Sequence, residues 1–517
     1  MSSPLPVVGT ARRWLVLTVV LLCFLPAAVD VTILTITVPT LAHELQASPT
    51  ELLWAVDVYS LLMVGLVLVS GPLGDRIGHK RLLLAGLGVF SAASALCAVA
   101  PGPPALIGAR ALLAVGASMI IPATLALIRQ TFGDGRDHAV AIGAWSAVAA
   151  GASALGPVAG GFLLQHFWWG SIFLVNLPIV ALAVPAVALL LRNEVESERQ
   201  PWEATSPLLS MVGFLGCAYA IIAFTHDGVG IPEVVLPAAA GLTALVLFVR
   251  RQQRMPHPML DLSLFRLPGL RAGVVASVLP VLVMVGFELQ LVQYLQIAKG
   301  LSAEAAALYL IPMPLAATVA GPVGGLLLSR LGQPRAGVPA GLLLAATGYV
   351  LAASGTVVPL GLALIGFGHG LVQMVASNLI MTTAPSSQAG AAAGIESVAY
   401  EAGAGLGIAV FGTVTTVAYR LLLPPGTSSS PLDAGASPET AQAFTDAFHT
   451  TTWLAAALTL ATILLATPTR TSTRSVASNA AGAAGAAGAA ADASTSSAPP
   501  GPGTSSTPSR RQPNERT

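Results

Sequence analysis

Long apolar stretches recur along the whole chain, and their length restricts the fold more than any other feature of the sequence. A helix that crosses the hydrocarbon core of a bilayer needs about 20 mostly apolar residues. Fourteen segments reach or approach that length, and they lie near residues 14–38, 51–71, 81–100, 106–128, 139–164, 172–191, 207–225, 232–249, 272–297, 303–328, 337–354, 357–382, 391–419 and 447–467. The last is short unless its helix begins near Phe444. Because helices close their backbone hydrogen bonds internally, the sequence predicts an all-α polytopic membrane protein with fourteen transmembrane helices.

The positions of lysine and arginine predict how the chain is inserted. Cytoplasmic connections of membrane proteins carry an excess of these residues. If the N-terminus is cytoplasmic, all but three of the 24 Lys and Arg residues fall on the inside; Arg110 lies within a span, and Lys299 and Arg420 lie outside. We therefore expect a multi-pass protein of the cell membrane with both termini in the cytoplasm.

One motif occurs twice and divides the chain into similar halves. Gly71-Pro-Leu-Gly-Asp-Arg-Ile-Gly-His-Lys-Arg81 recurs in weaker form as Gly325-Leu-Leu-Leu-Ser-Arg-Leu-Gly-Gln-Pro-Arg335, and both copies are expected in cytoplasmic loops. Duplicated halves are common in secondary transporters, although chance similarity of two basic loops is the alternative. The prediction is a six-helix bundle at 1–192, two additional helices at 193–250, a second six-helix bundle at 251–467 and a disordered cytoplasmic tail at 468–517.

Five carboxylates lie well inside the predicted spans, away from their first and last residues, where a charge costs roughly 2.5 to 3.5 kcal/mol on insertion scales. They are Asp30, Asp57, Glu288, Glu396 and Glu401. An embedded acid can instead reach the interface or neutralise an embedded base, but Arg110 is the one basic candidate for such pairing. Asp30 and Asp57 both fall in the outer half of their spans, so they could share one cavity.

The two acids of the thirteenth span are expected to face different ways. Glu396 and Glu401 are five residues apart, which places them about 140° apart around a regular helix. Glu396 shares its face with Tyr400, and an acid beside an aromatic ring can hold a lipophilic cation. Burial favours the protonated form of a carboxylate. A proton and a cation could therefore compete for one site, with the proton gradient as the energy source and no cofactor or metal.

Two further features of the first half have both a functional and a structural reading. Arg110 could stabilise or gate a carboxylate, or it could simply tie a span to a backbone carbonyl. The loop motif could lock one conformation through its acid and its bases, or it could serve only as a positively charged anchor. The residues concerned in this motif are Gly71, Asp75, Arg76, Gly78 and Arg81.

Glycines and a proline in the fifth span predict a close and adjustable helix contact. Gly156 and Gly160 have the spacing that lets helices approach closely. Pro157 removes a backbone donor and favours a bend. Gly151 and Gly161 extend the small-residue pattern, although ordinary tight packing explains such a pattern as well.

These motifs together resemble the major facilitator superfamily, specifically its fourteen-span drug:proton antiporters and within them the QacA/SmvA/LfrA-like branch. The resemblance covers about residues 14 to 467. The segments that carry it are Val29-Asp-Val-Thr-Ile-Leu-Thr-Ile-Thr-Val-Pro39, Trp54-Ala-Val-Asp-Val-Tyr59, Gly71 to Arg81, Arg110, Gly151 to Gly161, and Ser171-Ile-Phe-Leu-Val-Asn-Leu-Pro178.

The resemblance implies a major facilitator fold and roles for individual residues. It implies that Asp30 and Asp57 are coupling or cation-binding acids and that Gly151 to Gly161 is the antiporter motif. Glu396 and Glu401 match the acidic motif of the thirteenth span. Trp54, Tyr59 and Tyr400 would line the substrate cavity, with lipophilic cationic drugs, dyes and quaternary ammonium compounds as substrates.

The sequence departs from the family pattern at several positions. Thr35 and Thr37 replace Asn and Ala, and Ala114 replaces a glycine. Ala317 stands where some relatives carry an acid, so we expect divalent cations to be handled poorly. Glu288 lies outside the pattern.

Other functions remain as alternatives at this point. A dedicated exporter of one metabolite or self-made antibiotic is the nearest, and a membrane-embedded transferase is a more distant one because it would need catalytic loops or convergent metal ligands. The formal net charge of +1 gives no reason to expect nucleic acid as a partner. We expect a monomer that binds small cations, protons and the lipid bilayer.

Overall fold

The computed structural model describes residues 10–133, 136–191, 193, 203, 205–223, 230–256, 258–331, 336–355, 358–384, 388–423 and 437–466. Within these residues, fourteen helices are long and apolar enough to cross a membrane, which confirms the predicted all-α architecture. In chain order the spans are Ala11–Glu44, Pro49–Ile77, His79–Ala98, Pro103–Phe132, Val140–His166, Ser171–Leu190, Thr205–Ala223, Ile231–Arg254, Pro268–Ala298, Ala303–Gly324, Gly337–Ser354, Val358–Thr383, Ala391–Leu422 and Pro438–Ala466. The predicted tail at 468–517 lies outside the described residues.

Local sequence signals account for several helix ends. The second span begins at Pro49, and the preceding Ser48 accepts a hydrogen bond from the backbone N–H of Glu51 while the Glu51 carboxylate accepts one from Ser48. This reciprocal pair satisfies backbone donors that the first helical turn leaves free. The fourteenth span begins at Pro438, well before the predicted start, because Ser437 caps it at Thr440 N–H.

The first copy of the repeated motif does not form the predicted loop. The second span continues as helix through Ile77, and the third span begins at His79, so one residue connects them. That residue is Gly78, whose φ of +90° lies in a region that favours glycine. The chain therefore reverses within a single residue, and most of the motif is helical. The second copy extends into residues 332–335, which lie outside the described residues.

The two halves pack their helices in the same pattern. In the first half the third span packs on the fourth, the second on the fourth and the first on the fifth. In the second half the eleventh span packs on the twelfth, the tenth on the twelfth and the ninth on the thirteenth. Each contact in one half has its counterpart eight spans later. This agreement supports the internal repeat read from the sequence.

The seventh and eighth spans pack on each other, and the seventh closes one side of the boundary between the halves. It contacts the second span of the first half and the thirteenth span of the second half. Gly65 makes the first contact possible, because an added methyl group there would lie 2.7 Å from the carbonyl oxygen of Pro207. The Thr413 hydroxyl donates a hydrogen bond to the carbonyl of Ile221 in the second contact.

The two ends of the spans differ in charge, and we name them accordingly. The end at which the first span begins is the basic face, because the described connections there carry most of the Lys and Arg residues. These include Arg76, Lys80, Arg81, Arg129, Arg250, Arg251, Arg254, Arg266, Arg271 and Arg330. The other end is the opposite face.

The halves meet near the opposite face. The side chain of Gln296 donates a hydrogen bond of 2.8 Å to the carbonyl of Ile36 in the other half. A methyl group on Gly161 would lie 2.9 Å from the carbonyl oxygen of Ala303 and 2.7 Å from the Cα of Glu304, so the fifth and tenth spans touch through their backbones. The opposite face is therefore closed in this structure.

The same spans are more open toward the basic face. The helices at the boundary between the halves are the second, fifth, tenth and thirteenth spans. Each has a glycine, in its middle or basic-face half, with no atom within 4 Å of an added methyl group: Gly71, Gly151, Gly321 and Gly394. We describe the space between the halves as a central cleft that opens toward the basic face.

Candidate functional site: a central cleft with buried carboxylates

Asp30 and Arg110 form a buried ion pair within the first half. The Arg110 guanidinium donates to Asp30 Oδ2 and, through Nε, to the carbonyl of Ala55 at 3.2 Å. The guanidinium carbon also lies 4.8 Å from the ring centroid of Tyr59. Three helices thus meet at one cation, which matches both sequence readings of Arg110: it pairs with an acid and it ties a backbone carbonyl. The second oxygen of Asp30 has no hydrogen-bond partner among the described residues.

Asp57 lies on a different face of the second span and does not join this pair. Its Oδ1 would be 3.2 Å from a methyl group on Gly405, so its carboxylate faces the thirteenth span of the other half. Asp57 is fully buried, and within the described residues neither of its oxygens has a hydrogen-bond partner. Within the described residues no hydrogen bond or ion pair joins Asp57 to Asp30 or Arg110, so the expectation that the two acids share one cavity stays a prediction. A rotation of about 200° separates Asp57 from Ala55, the residue whose carbonyl binds Arg110.

Glu401 connects the two halves at a similar depth. Its carboxylate interacts with the hydroxyl of Ser60, which lies one turn beyond Asp57 on the second span. It is also within electrostatic range of Tyr59, as are Asp30 and Arg110. Glu401 therefore lies between the ion pair of the first half and the side chains of the second half.

Tyr400 lies in the cleft between two acids. Its side chain is 37% exposed, although it lies within electrostatic range of both Glu401 on its own span and Glu288 on the ninth span. Glu288 is also in electrostatic range of the buried Tyr349 of the eleventh span. Two carboxylates flanking one accessible ring are suited to hold a lipophilic cation.

Glu396 and Glu401 point apart, as their spacing predicts. Both lie on one helix, Ala389–Leu422. Glu396 interacts with the side chain of Ser377 on the twelfth span, whereas Glu401 interacts with the second span. The two acids therefore serve different helix contacts, and only Glu401 reaches across to the first half among these contacts.

The turn after the second span is held by Asp75, which the sequence selected, together with His79, Lys80 and Asn193, which were not among the selected site residues. Asp75 accepts a hydrogen bond or ion pair from His79 at 3.1 Å, one helical turn later. Lys80 donates to the carbonyls of Ala188 and Leu191 at the end of the sixth span. Its positive charge is favourable at a helix C-terminus.

Asn193 completes this arrangement. Its amide donates to the Ile77 carbonyl at 3.1 Å and its carbonyl accepts from the Arg81 backbone N–H at 3.3 Å. An added methyl group on Gly78 would overlap the same carboxamide. A single asparagine after an apolar span is a weak sequence signal, so only the fold reveals this contact. Arg76 makes no ion pair within the described residues.

The glycines of the fifth span divide into two groups. A methyl group on Gly156 would collide with Thr32 of the first span, and one on Gly160 would collide with Ile33 and Ile36. The predicted close approach of helices is therefore confirmed at these two glycines. Gly161 contacts the tenth span, as described above. Gly151, in contrast, has open space around it and makes no close packing contact. Pro157 lies inside the continuous helix Arg136–His166.

Trp54 lies beside the seventh span. Its ring centroid is 6.0 Å from that of Tyr219 in the seventh span, so its side chain packs toward the additional helices. Tyr59, in contrast, is buried against Arg110 and Tyr400 reaches the cleft. Of the three aromatic residues predicted to line the substrate cavity, the geometry favours Tyr400 as the accessible one. Ser60 and Ser377, which bind the acids of the thirteenth span, were not selected from the sequence, although Ser60 follows Asp57 at helical spacing.

This arrangement defines a class of protein: a polytopic membrane transporter with two repeated halves around a central cleft. The cleft holds carboxylates that can bind cations or protons, and within the described residues no group of three or more His, Cys, Asp or Glu converges as a metal site would require. The chain belongs to the Major Facilitator Superfamily, whose family profile matches residues 20–408.

Several relatives are similar over most of their length. The methyl viologen resistance protein SmvA of Salmonella typhimurium is 38% identical, and the match covers 80% of this chain and 85% of that protein. The multidrug efflux pump LfrA of Mycolicibacterium smegmatis is 34% identical over 83% of this chain and 86% of the relative. The tetracenomycin C resistance and export protein of Streptomyces glaucescens is 31% identical over 78% and 76%.

Solved structures of low sequence identity share the fold. A bacterial homolog of the human lysosomal transporter Spinster superposes with a TM-score of 0.62 at 16% identity and covers 89% of this chain and 98% of its own. A variant of the peptide transporter POT, solved in complex with sulfate, also has a TM-score of 0.62, at 15% identity, over 87% and 94%. At this level of identity the similarity supports the fold alone.

Proposed function

We propose that this protein is a proton-driven antiporter that exports lipophilic, mainly monovalent cations across the cytoplasmic membrane. The observation that carries the proposal is the set of acids at the centre of the molecule. Asp57 and Glu401 lie where the two repeated halves meet, Asp30 lies beside them in the first half, and Asp57 has no neutralising partner among the described residues. Retaining such groups in a membrane is costly, and a cycle of protonation and cation binding gives them a use.

The distribution of charge supports an orientation with the basic face in the cytoplasm. Lys and Arg accumulate in cytoplasmic connections, and the start of the first span and the end of the fourteenth both lie on the basic face. The cleft then opens to the cytoplasm in this structure. A cation from the cytoplasm would reach Tyr400 and Glu401, while the opposite face stays closed.

The energy for export would come from exchange at the carboxylates. A cation and a proton compete for the same negative charge, so binding of one favours release of the other. The Arg110 guanidinium neutralises Asp30, whereas within the described residues Asp57 and Glu401 form no ion pair with a base. The secondary active mechanism, the protons and the monomeric state belong to this proposal.

Substrate charge is the finer part of the proposal. The accessible ring of Tyr400 with Glu401 offers one cation site, and position 317 of the tenth span holds alanine rather than an acid. We therefore expect ethidium, a monovalent dye, to be exported better than methyl viologen, a divalent cation. Equal resistance to both in cells that express the protein would contradict this part alone.

Ethidium efflux from loaded cells, with and without an uncoupler of the proton gradient, tests the main proposal. We expect wild-type efflux to stop when the uncoupler is added. Asp30→Asn should abolish proton-coupled efflux while the protein still reaches the membrane, because the unneutralised Arg110 guanidinium then adds a positive charge near Glu401 and opposes binding of a cation or proton there. Asp446→Asn, at an exposed position on the fourteenth span, is the matched control and should behave as wild type.

Uncoupler-insensitive efflux, or wild-type efflux by Asp30→Asn, would overturn the proposal. A dedicated exporter of one self-made antibiotic is the second candidate, because one relative is a tetracenomycin C resistance and export protein. Efflux confined to one compound class, together with biosynthetic genes beside this gene, would favour that candidate.

A further inference from the structure

A small cavity lies in the closed end of the molecule, between the central acids and the opposite face. It is bounded by the first, second, ninth, thirteenth and fourteenth spans. Most of its lining is apolar, but Gln290 and Gln293 contribute from the ninth span and Thr415 and Thr416 from the thirteenth. Polar side chains at this position have no part in the substrate site described above, which lies on the cleft side of the closure.

Thr415 is the unusual member of this lining. A threonine inside a helix normally returns its hydroxyl hydrogen bond to a carbonyl three or four residues earlier, and its neighbour Thr416 does so, with Gly412 as acceptor at 2.8 Å. The Thr415 hydroxyl is buried, and within the described residues it has no hydrogen-bond partner. A buried hydroxyl without a partner costs about 1 to 3 kcal/mol, and a cavity that also has two glutamine side chains in its lining is a suitable place for ordered water.

The contact between the second and thirteenth spans, which we call the seam, runs from this cavity to Asp57 and Glu401. Its lining on the second span is Pro49, Leu52, Leu53 and Val56, which is one helix face. That face continues one turn further at Ser60, the residue that binds Glu401. Asp57 follows Val56 directly in the chain.

The thirteenth span presents a matching face. Gly412 lines the cavity, Gly405 lies nearly two turns deeper against Asp57, and Glu401 lies one turn beyond Gly405. Thr415 is ten residues from Gly405, or about 15 Å along the helix. Thus the unpartnered hydroxyl and the unpartnered carboxylate of Asp57 mark the two ends of one contact line between the halves.

We propose that this seam is the proton entrance: water in the cavity, held by Thr415, Gln290 and Gln293, passes protons from the opposite face to Asp57 and Glu401 while the cleft is open to the basic face. The proposal rests on the proposed antiport. It gives protons a separate route from the substrate, so that protonation of the acids does not require the opposite face to open. Thr415 and Gln290 are positioning residues on this route and do not touch the exported cation.

The test uses the full-length protein, purified and reconstituted into liposomes with a pH-sensitive dye. Ethidium binding and ethidium-driven proton release are measured separately. Thr415→Val and Gln290→Leu keep side-chain volume and remove the polar groups. We expect each variant to slow proton release about tenfold without changing the ethidium Kd. This is the rate change that follows when one lost hydrogen bond raises the activation free energy by about 1.4 kcal/mol.

Two further variants separate this role from a structural one. Thr415→Ser restores the hydroxyl and should restore the rate. Thr459→Val is the matched control, because Thr459 is buried on the fourteenth span and its hydroxyl is already bound to the Ala455 carbonyl at 2.7 Å. It should release protons as fast as the wild type.

The outcomes distinguish the two proposals. Normal proton release in both Thr415→Val and Gln290→Leu would overturn the proton entrance while leaving the antiport intact. A changed ethidium Kd with normal proton release would overturn it as well and would assign the cavity to substrate. Absence of ethidium-driven proton release in the wild type would remove the antiport and, with it, the entrance.

Labelling gives an answer even if the apolar variants fold poorly. The variant Gln293→Cys, in a background where Cys23, Cys97 and Cys217 are replaced by serine, should react with a membrane-impermeant thiol reagent added on the opposite face. The three native cysteines are free thiols, so their removal breaks no disulfide. A cysteine at this position that stays unreactive in folded protein would contradict a water-accessible entrance.

Discussion

Gly161 controls whether the halves can meet at the opposite face. A methyl group there would lie 2.7 Å from the Cα of Glu304 and 2.9 and 3.0 Å from the carbonyl oxygen and carbon of Ala303. All three are backbone atoms, so no side-chain rotation can relieve the contact. Gly161→Ala should therefore force the fifth and tenth spans apart where they close the opposite face.

The size of the effect follows from the cost of overpacking. Inserting one methyl group into a close contact typically costs about 1 to 3 kcal/mol. Because this contact exists in the closed state and is lost when the opposite face opens, the cost shifts the equilibrium toward the open state by roughly 5- to 150-fold. Helix formation itself does not suffer, since alanine is favoured over glycine within a helix by about 1 kcal/mol.

The shift toward the open state can be measured by double electron–electron resonance. The spin labels are placed on the exposed residues Gln165 and Lys299, near the opposite-face ends of the fifth and ninth spans. We expect Gly161→Ala to move the distance distribution to longer values. Gly151→Ala, in the same helix but with open space around it, is the control and should leave the distribution unchanged. Identical distributions for Gly161→Ala and the wild type would refute the reasoning.

Three further predictions concern stability and binding. Asp30→Asn leaves the buried Arg110 unpaired and should lower the free energy of unfolding by about 3 to 5 kcal/mol, measured by chemical denaturation in detergent; a loss below about 1 kcal/mol would contradict a dry ion pair. Alanine in the Gly78→Ala variant must adopt a φ of +90° and displace the Asn193 carboxamide, which should cost at least about 1 to 3 kcal/mol and lower the melting temperature. An unchanged melting temperature would mean that Asn193 does not hold this turn. Tyr400→Leu should raise the ethidium Kd about 2- to 30-fold through loss of a cation–π contact of about 0.5 to 2 kcal/mol, whereas Trp54→Leu should not; equal effects would place Trp54 in the substrate site.

The sequence was sufficient for the features that depend on local hydrophobicity. Each span needs only a long apolar run, and even the fourteenth, the shortest run, forms a helix from Pro438 to Ala466. The five embedded acids are visible for the same reason, because a charge stands out against an apolar background. The opposed directions of Glu396 and Glu401 also follow from the sequence, since one regular helix fixes the angle between them.

The contacts of those acids were decided by tertiary structure. Asp30 and Arg110 are 80 residues apart in the chain. The sequence of each span does not specify how the two helices are rotated relative to each other. Packing between the halves likewise brings Asp57 against Gly405 of the thirteenth span.

The sequence by itself thus determined that fourteen helices carry a small number of costly charges, because transfer into lipid depends on composition and length. Only packing between distant segments decided that Arg110 neutralises Asp30, that Glu401 meets Ser60, and that a one-residue turn at Gly78 is held by Asn193. These contacts depend on close approach of backbones, which small residues such as Gly161 and Gly405 permit and which hydrophobicity alone does not encode.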